Sequence, residues 1–342
     1  MPTATSESVG PIRVGLYLDM RNPPQWRRPW ATFYPRALEL IERSEALGFD
    51  SVWLTEHHFF EDGYLTQPLV FGAAVAARTS RMRIGTSVIL PALRHPLHLA
   101  EEAALVDLVS GGRLELGLGA GYHPREFRAF GVDIKQRYAL TDAAAEQMRA
   151  VWGSGTVTPP PVQDRVPIWL GYQGPAGARR AGKLGEGLLS LDRALLEPYR
   201  QGLAEAGHDE ARARMTGHVS VVVAADPEAA WARIRRHAAY QLDSYRAYSV
   251  EGTGAPVPRP VDPDRWRSAG QRGGLPAVDV VTPETATRVI RQTCAGLPAD
   301  SVHVWASIAG MPDDVVESHL DLIAHRVIPA LAAAESPSSA TG

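Results

Sequence analysis

An acid and two imidazoles stand side by side at Glu56, His57 and His58, directly after the apolar run Asp50–Leu54 with its Val52 and Trp53. Imidazoles next to a carboxylate can move protons near neutral pH, because an unperturbed imidazole titrates at about 6.5. The same three residues could also do no more than tie a strand end to the following loop through hydrogen bonds. Their position bears on the choice. The run before them reads as a buried parallel strand, and the carboxyl ends of such strands face the ligand crevice of α/β folds. Successive strand residues point to opposite sides, which predicts that only one of His57 and His58 faces inward. Alternation does not say which.

Two glycine clusters invite a binding role. Gly117-Leu118-Gly119-Ala120-Gly121 suggests a dinucleotide loop, but the G-x-G-x-x-G spacing needs glycine at position 122, where Tyr122 stands. The stretch reads better as a strand end where larger side chains would obstruct a ligand. Gly171-Tyr172-Gln173-Gly174-Pro175-Ala176-Gly177 links a strand to a helix. Free amides and the positive dipole end at a helix N-terminus make an anion site there, with a tight glycine turn as the alternative. His95 and His98 are separated by Pro96 and lack an acidic third ligand; with no H-E-x-x-H and one cysteine, Cys294, no metal site is expected. No G-x-S-x-G elbow of a hydrolase occurs.

The elements that must position these groups alternate along the 342 residues. Strands are expected at Arg13–Asp19, Asp50–Leu54, Arg83–Leu90, Arg113–Leu118, Ile168–Gly171, Gly187–Leu191, Thr216–Ala224 and Val302–Ala306, with amphipathic helices between them. Between the fourth strand and the helix expected from Tyr138 lies an irregular excursion, Gly119–Gln136. Eight such repeats predict an α/β fold, a (β/α)₈ TIM barrel forming a single domain over residues 1–335, with an open doubly wound sheet as competitor. Ser249–Asp279, rich in glycine and proline, is a long insertion before the last strand; loops of this length are usually functional or disordered. The tail, residues 336–342, is expected to be disordered. Charges nearly balance, with 35 Lys+Arg against 38 Asp+Glu and a net charge of −3, so no basic stripe points to nucleic acid. No apolar run approaches the roughly 20 residues of a membrane helix. MPTATSESVGP lacks the charged and apolar regions of a signal peptide, and the single cysteine forbids an intramolecular disulfide; a cytoplasmic protein is expected.

The ordered series LGFDSVWLTEHHF, then residues 84–122 from IGTSVILP to GLGAGY, then FRAFGVD at 127–133, resembles the bacterial luciferase-like family of flavin-dependent oxidoreductases. The resemblance implies a closed barrel. It also implies a monooxygenase that takes reduced, diffusible FMN from a separate NAD(P)H:flavin reductase and, with O2, forms a C4a-(hydro)peroxyflavin that oxygenates a small organic substrate. Hydride transfer with the deazaflavin F420 is the nearer alternative on the same fold, and non-catalytic flavin binding the second. His57 matches the family's catalytic histidine, with Glu56 orienting its ring or lining the pocket. Ser87-Val88 falls where a non-prolyl cis peptide often lies under the flavin ring, and Gly119 and Tyr122 lie beside that ring. Gln173, Gly174 and Gly177 match phosphate-contacting positions, and Arg137 aligns with an arginine that also reaches the phosphate. Ala120 departs from the pattern, since bacterial luciferase has a phosphate-binding arginine there; the charge must then come from Arg137, Arg179 or Arg180. The resemblance further implies a homodimer, and a mobile segment at 249–279 that closes over the flavin.

Overall fold

The computed structural model describes residues 11–265 and 278–333. Its strands are β1 (Arg13–Leu18), β2 (Ser51–Leu54), β3 (Arg83–Thr86), β4 (Leu114–Leu118), β5 (Ile168–Leu170), β6 (Gly187–Leu189), β7 (Met215–Val219), β8 (Val221–Val223), β9 (Asp279–Val281) and β10 (Ser301–Trp305). The helices are α1 (Trp30–Ala46), α2 (Pro68–Arg78), α3 (Pro96–Ser110), α4 (Pro124–Ala129), α5 (Arg137–Gly153), α6 (Gly174–Lys183), α7 (Leu196–Glu205), α8 (Pro227–Val250), α9 (Pro283–Cys294), α10 (Asp313–Leu322) and α11 (Ile328–Ala332).

Strands β1 to β7 and β10 form a closed barrel in the order β1-β10-β7-β6-β5-β4-β3-β2, and every pair is parallel. Closure is made where β1 meets β10, with Leu16 opposite Val304, while the other edge of β1 sets Leu16 opposite Val52. All four residues of β2 are buried, as are all five of β10. Covered on both faces, β2 reads as an apolar run from Val52 to Leu54, whereas β10 buries Ser301 and His303 alongside its valines. Helix ends follow local chemistry. The Asp226 carboxylate accepts the amides of Glu228 and Ala229 to start α8, and Gly111 in the left-handed region closes α3.

The structure corrects four expectations. The Val-rich stretch Thr216–Ala224 is two strands: β7 ends in the barrel at Val219, and β8 pairs with β9 in a separate two-stranded sheet. The break is at Ser220, whose Oγ accepts the indole N–H of Trp305 at 3.1 Å. The third strand stops at Thr86, four residues short, because the chain bends at Ser87 and turns through Pro91–Leu93. The excursion Gly119–Gln136 contains the helix α4. Finally, the end of the insertion is strand β9, and its beginning is fixed by side-chain contacts described below, while residues 266–277 and the tail 336–342 lie outside the described residues.

Candidate active site

Strand β2 ends at Leu54, so the alternation argument stops before the histidines and both imidazoles are buried. Each has its own carboxylate. His57 Nδ1 lies 2.9 Å from Glu126 Oε1 on α4, and the same oxygen accepts the backbone N–H of His58 at 2.7 Å. His58 Nε2 lies 2.9 Å from Glu56 Oε1. Glu56 therefore does not orient His57. Its oxygens also accept the guanidinium of Arg94 at 2.5 Å and the N–H of Leu90 at 2.7 Å, which ties the end of β2 to the loop after β3. Among the described residues no group hydrogen-bonds His57 Nε2, leaving that nitrogen for a ligand. Three rings frame the imidazole: Phe60 stacked at 4.6 Å between centroids, with Tyr64 and Tyr122 edge-on at 4.7 and 5.1 Å.

The loop held by Glu56 carries Ser87-Val88, whose peptide bond is cis. Both residues are half-buried at the mouth, among neighbours that are fully buried. Val88 explains the glycines around it. A Cβ on Gly119 would collide with one methyl of Val88, and a Cβ on Gly171 with the other. Gly119 is thus required by a protein side chain, whatever it also leaves open to a ligand. Tyr122, 40% exposed, stands at the rim.

Helix α6 begins at Gly174, with Gln173 exposed at its N-cap. The first-turn amides of Gly174 and Ala176 lie beyond the reach of the helix's own carbonyls, Pro175 having none to offer. Gly177 does something else. It is buried, and a Cβ there would meet the Cβ and backbone of Tyr172, so it lets the helix settle close on that stretch of chain. Arg137 and Arg180 both lie against the ring of Tyr138, at 4.9 and 5.6 Å. Arg180 pairs with Asp142, which also accepts the hydroxyl of Tyr172 at 2.6 Å. Arg137 is less committed: one terminal nitrogen donates to the carbonyl of Ile134 at 3.0 Å, and its Nε is buried without a partner. An anionic phosphate at this helix end would meet free amides, and Arg137 on α5 keeps a buried guanidinium N–H without a partner, so the residues present fit one. Arg179 turns away to Glu205 on α7.

The barrel interior is aromatic. Tyr17, His218, His303 and Trp305 pack ring against ring, with Trp53 stacked on His303 at 5.0 Å. Burial holds both histidines neutral, pushing His218 down to about 3 and His303 well below the usual imidazole range. Beside the mouth, Arg21 is bound through Nε to Asp62 at 2.6 Å and also to Ser244, and is ringed by Phe60, Tyr64, Tyr240 and Tyr245. Asp19 Oδ2 and both amide atoms of Gln241 are buried there without partners. A cavity of about 360 Å³, lined by Leu18, Met20, Arg21, Phe33, Met311 and Asp313, lies against α1 and α10 and includes none of the predicted site residues.

Sequence reasoning missed Glu126, His123, Arg21 and Asp19. The first two were the more findable, since His123 and Glu126 are three apart, the spacing that places side chains on one face of a helical turn.

Comparison with known proteins gives a consistent picture. Residues 14–290 match the family model described as Luciferase-like monooxygenase. The alkanal monooxygenase alpha chain of Photorhabdus laumondii is 36% identical over 131 residues, 38% of this chain and 36% of that one. The F420-dependent glucose-6-phosphate dehydrogenase of Amycolatopsis mediterranei is 33% identical over 202 residues, 53% of this chain and 61% of that one. The match to these two relatives thus spans about a third to three fifths of their length. Among solved structures, the monooxygenase RslO1 of Streptomyces bottropensis superposes with a TM-score of 0.74 at 24% identity, covering 93% of this chain and 99% of that one, which shows the shared fold.

Proposed function

The chain belongs to the luciferase-like monooxygenase family, and from that premise we propose that it is a flavin-dependent monooxygenase acting on a small organic substrate. The observation that carries this reading is the buried His57–Glu126 pair at the barrel mouth, one imidazole nitrogen fixed and the other open. Reduced FMN, when bound, supplies the electrons that activate O2. The chain's own residues do the rest. The first-turn amides of Gly174 and Ala176, with Arg137, hold the phosphate end. The Val88 side chain, locked between Gly119 and Gly171, offers a fixed apolar surface for the ring system. His57 gives or takes a proton at Nε2, and Glu126 fixes the ring through its hydrogen bond at Nδ1. Phe60, Tyr64 and Tyr122 exclude water around it. Glu56 acts as a positioning residue for the Ser87-Val88 loop.

The phosphate assignment is tested by comparing FMN with riboflavin. Hydrogen bonds to a charged group contribute about 1.5–3 kcal/mol each, so loss of the phosphate should weaken binding by at least about tenfold in equilibrium dialysis. Equal affinity would remove the phosphate from α6. F420 is the second reading, favoured by the likeness to a protein named as F420-dependent. The same purified protein given reduced FMN or reduced F420, with and without oxygen, separates the two: the monooxygenase consumes O2 with FMN, whereas the alternative turns over anaerobically with F420. The reduced flavin would come from a separate reductase.

A homodimer is part of the same proposal. Val70 on α2 and Leu105 and Val109 on α3 are exposed apolar residues on two helices that pack together. A second copy covering them would bury surface that is otherwise unfavourably wet. Sedimentation velocity should give a dimer for the native chain and a monomer for Val70→Asp/Leu105→Asp; a native monomer refutes it.

A further inference from the structure

A line of alternating imidazoles and carboxylates runs from His57 to the protein surface. His57 Nδ1 contacts Glu126 Oε1 at 2.9 Å, Glu126 Oε1 lies 3.7 Å from His123 Nδ1, and His123 Nε2 contacts Glu251 Oε2 at 2.8 Å. The side chains of Glu126 and His123 are fully buried, whereas that of Glu251 is 38% exposed and is held by Arg125 at 3.2 Å. Two buried polar atoms in the middle of this line have no partner, His123 Nδ1 and Glu126 Oε2. They belong to the two groups separated by 3.7 Å. A contact between these two side chains would give both a partner.

We propose that Glu126, His123 and Glu251 form a proton relay that connects His57 to solvent while the active-site mouth is covered by substrate. The inference rests on the reading of His57 as the proton-handling group. The transfer balances along the chain. A proton taken up at His57 Nε2 releases one from Nδ1 to Glu126. The carboxylate passes its proton to His123 Nδ1, which gives up the Nε2 proton to Glu251 and from there to water; delivery runs in reverse. No redox change and no further reactant is involved.

The surroundings suit this use. Phe60 and Tyr248 stack at 3.7 Å and both press edge-on against His123, at 5.7 and 5.4 Å, and the partly exposed Glu251 is the carboxylate at its Nε2. The charged groups facing His123 are Glu126 and Glu251; those facing Glu126 are His57 and His123, with the His58 amide; Arg125 faces Glu251; and the other titratable groups against His57 are Tyr64 and Tyr122. Burial alone would lower the His123 imidazole, but the Glu126 and Glu251 carboxylates raise it above the ordinary value. Burial would likewise raise Glu126, yet the imidazoles of His123 and His57 hold it at about 2. A proton therefore rests on Glu126 only in passing between the two imidazoles, which leaves the carboxylate ionised as the standing state of the line.

The test is the exchange rate of the His57 Nδ1 proton with water, read by NMR on protein carrying ¹⁵N-histidine and bound FMN. Glu251→Gln keeps the hydrogen bond to His123 but cannot accept a proton, and it alters a partly exposed site that leaves the core intact. His123→Phe cuts the line in its middle. Each should slow the exchange by about tenfold or more, with the double variant no slower than the stronger single one. The pH–rate profile with reduced FMN and O2 should lose rate where proton transfer limits, with partial recovery in imidazole buffer for His123→Phe. Unchanged exchange in folded Glu251→Gln overturns the relay. Because this readout needs no turnover, it is distinguishable from failure of the functional reading, which would show as full activity without His57.

Discussion

His57→Ala is expected to lower turnover by about 10²-fold or more, the usual scale for a positioned acid–base group, while FMN still binds. The side chain is buried against Glu126, so removal also leaves a carboxylate short of one partner. His57→Gln is the companion variant, since its amide N–H can still donate to Glu126 and preserve the local packing. Both should be equally deficient if the lost function is proton transfer at Nε2. Turnover is followed as oxygenated product formed with reduced FMN, O2 and an accepted organic substrate. Near-normal rates in either folded variant would take His57 out of the chemistry.

The largest effect on stability is expected at Arg21. Its side chain and that of Asp62 are 0% and 1% exposed, paired at 2.6 Å. Breaking a buried pair by removing one member costs about 3–5 kcal/mol, because the other charge remains without compensation. Arg21→Leu should show that deficit in urea denaturation, and Arg21→Leu/Asp62→Leu should recover part of it. The deficit should also depend on pH through Asp19. Burial raises that carboxyl to about 7 against the pull of Arg21, from a reference value of 3.8. With the folded value above the unfolded one, ionisation of Asp19 works against folding: the penalty is absent below about pH 4, grows with pH and is complete above about 7. Without Arg21 the carboxyl rises further, so the variant should fall further behind the native chain between pH 6 and pH 8. A deficit below about 1 kcal/mol at both pH values would mean that the pair contributes little.

How much of this was legible from residues alone follows physical lines. The barrel strands announced themselves because burial on both faces favours apolar runs. Thr216–Ala224 misled for the same reason: its valines serve two sheets, and the break at Ser220 is set by the indole of Trp305, 85 positions away. The Glu56-His57-His58 cluster was visible as chemistry, but its pairing was not. Glu126, the carboxylate that holds His57, lies 69 positions along the chain and reaches it only because α4 folds back over the mouth. Val88 shows the opposite case. Glycine at 119 was readable as a demand for space, and only the fold reveals that a valine methyl fills it.

Closure of the barrel has a further consequence for how this chain can go wrong. A ring of strands offers no unpaired backbone to another molecule. Among the described residues, the open strand edges belong to the small sheet of β8 and β9, where Val221, Val222 and Val223 are buried. That short valine strand is kept from foreign chains by what is packed around it, including the His319 imidazole on α10, whose Nδ1 accepts the N–H of Val223 at 2.8 Å. Self-association through strand addition would therefore begin when α10 lifts from β8, well before the barrel opens. The weak point for aggregation lies beside the barrel, in the small sheet that follows the carboxyl end of β7.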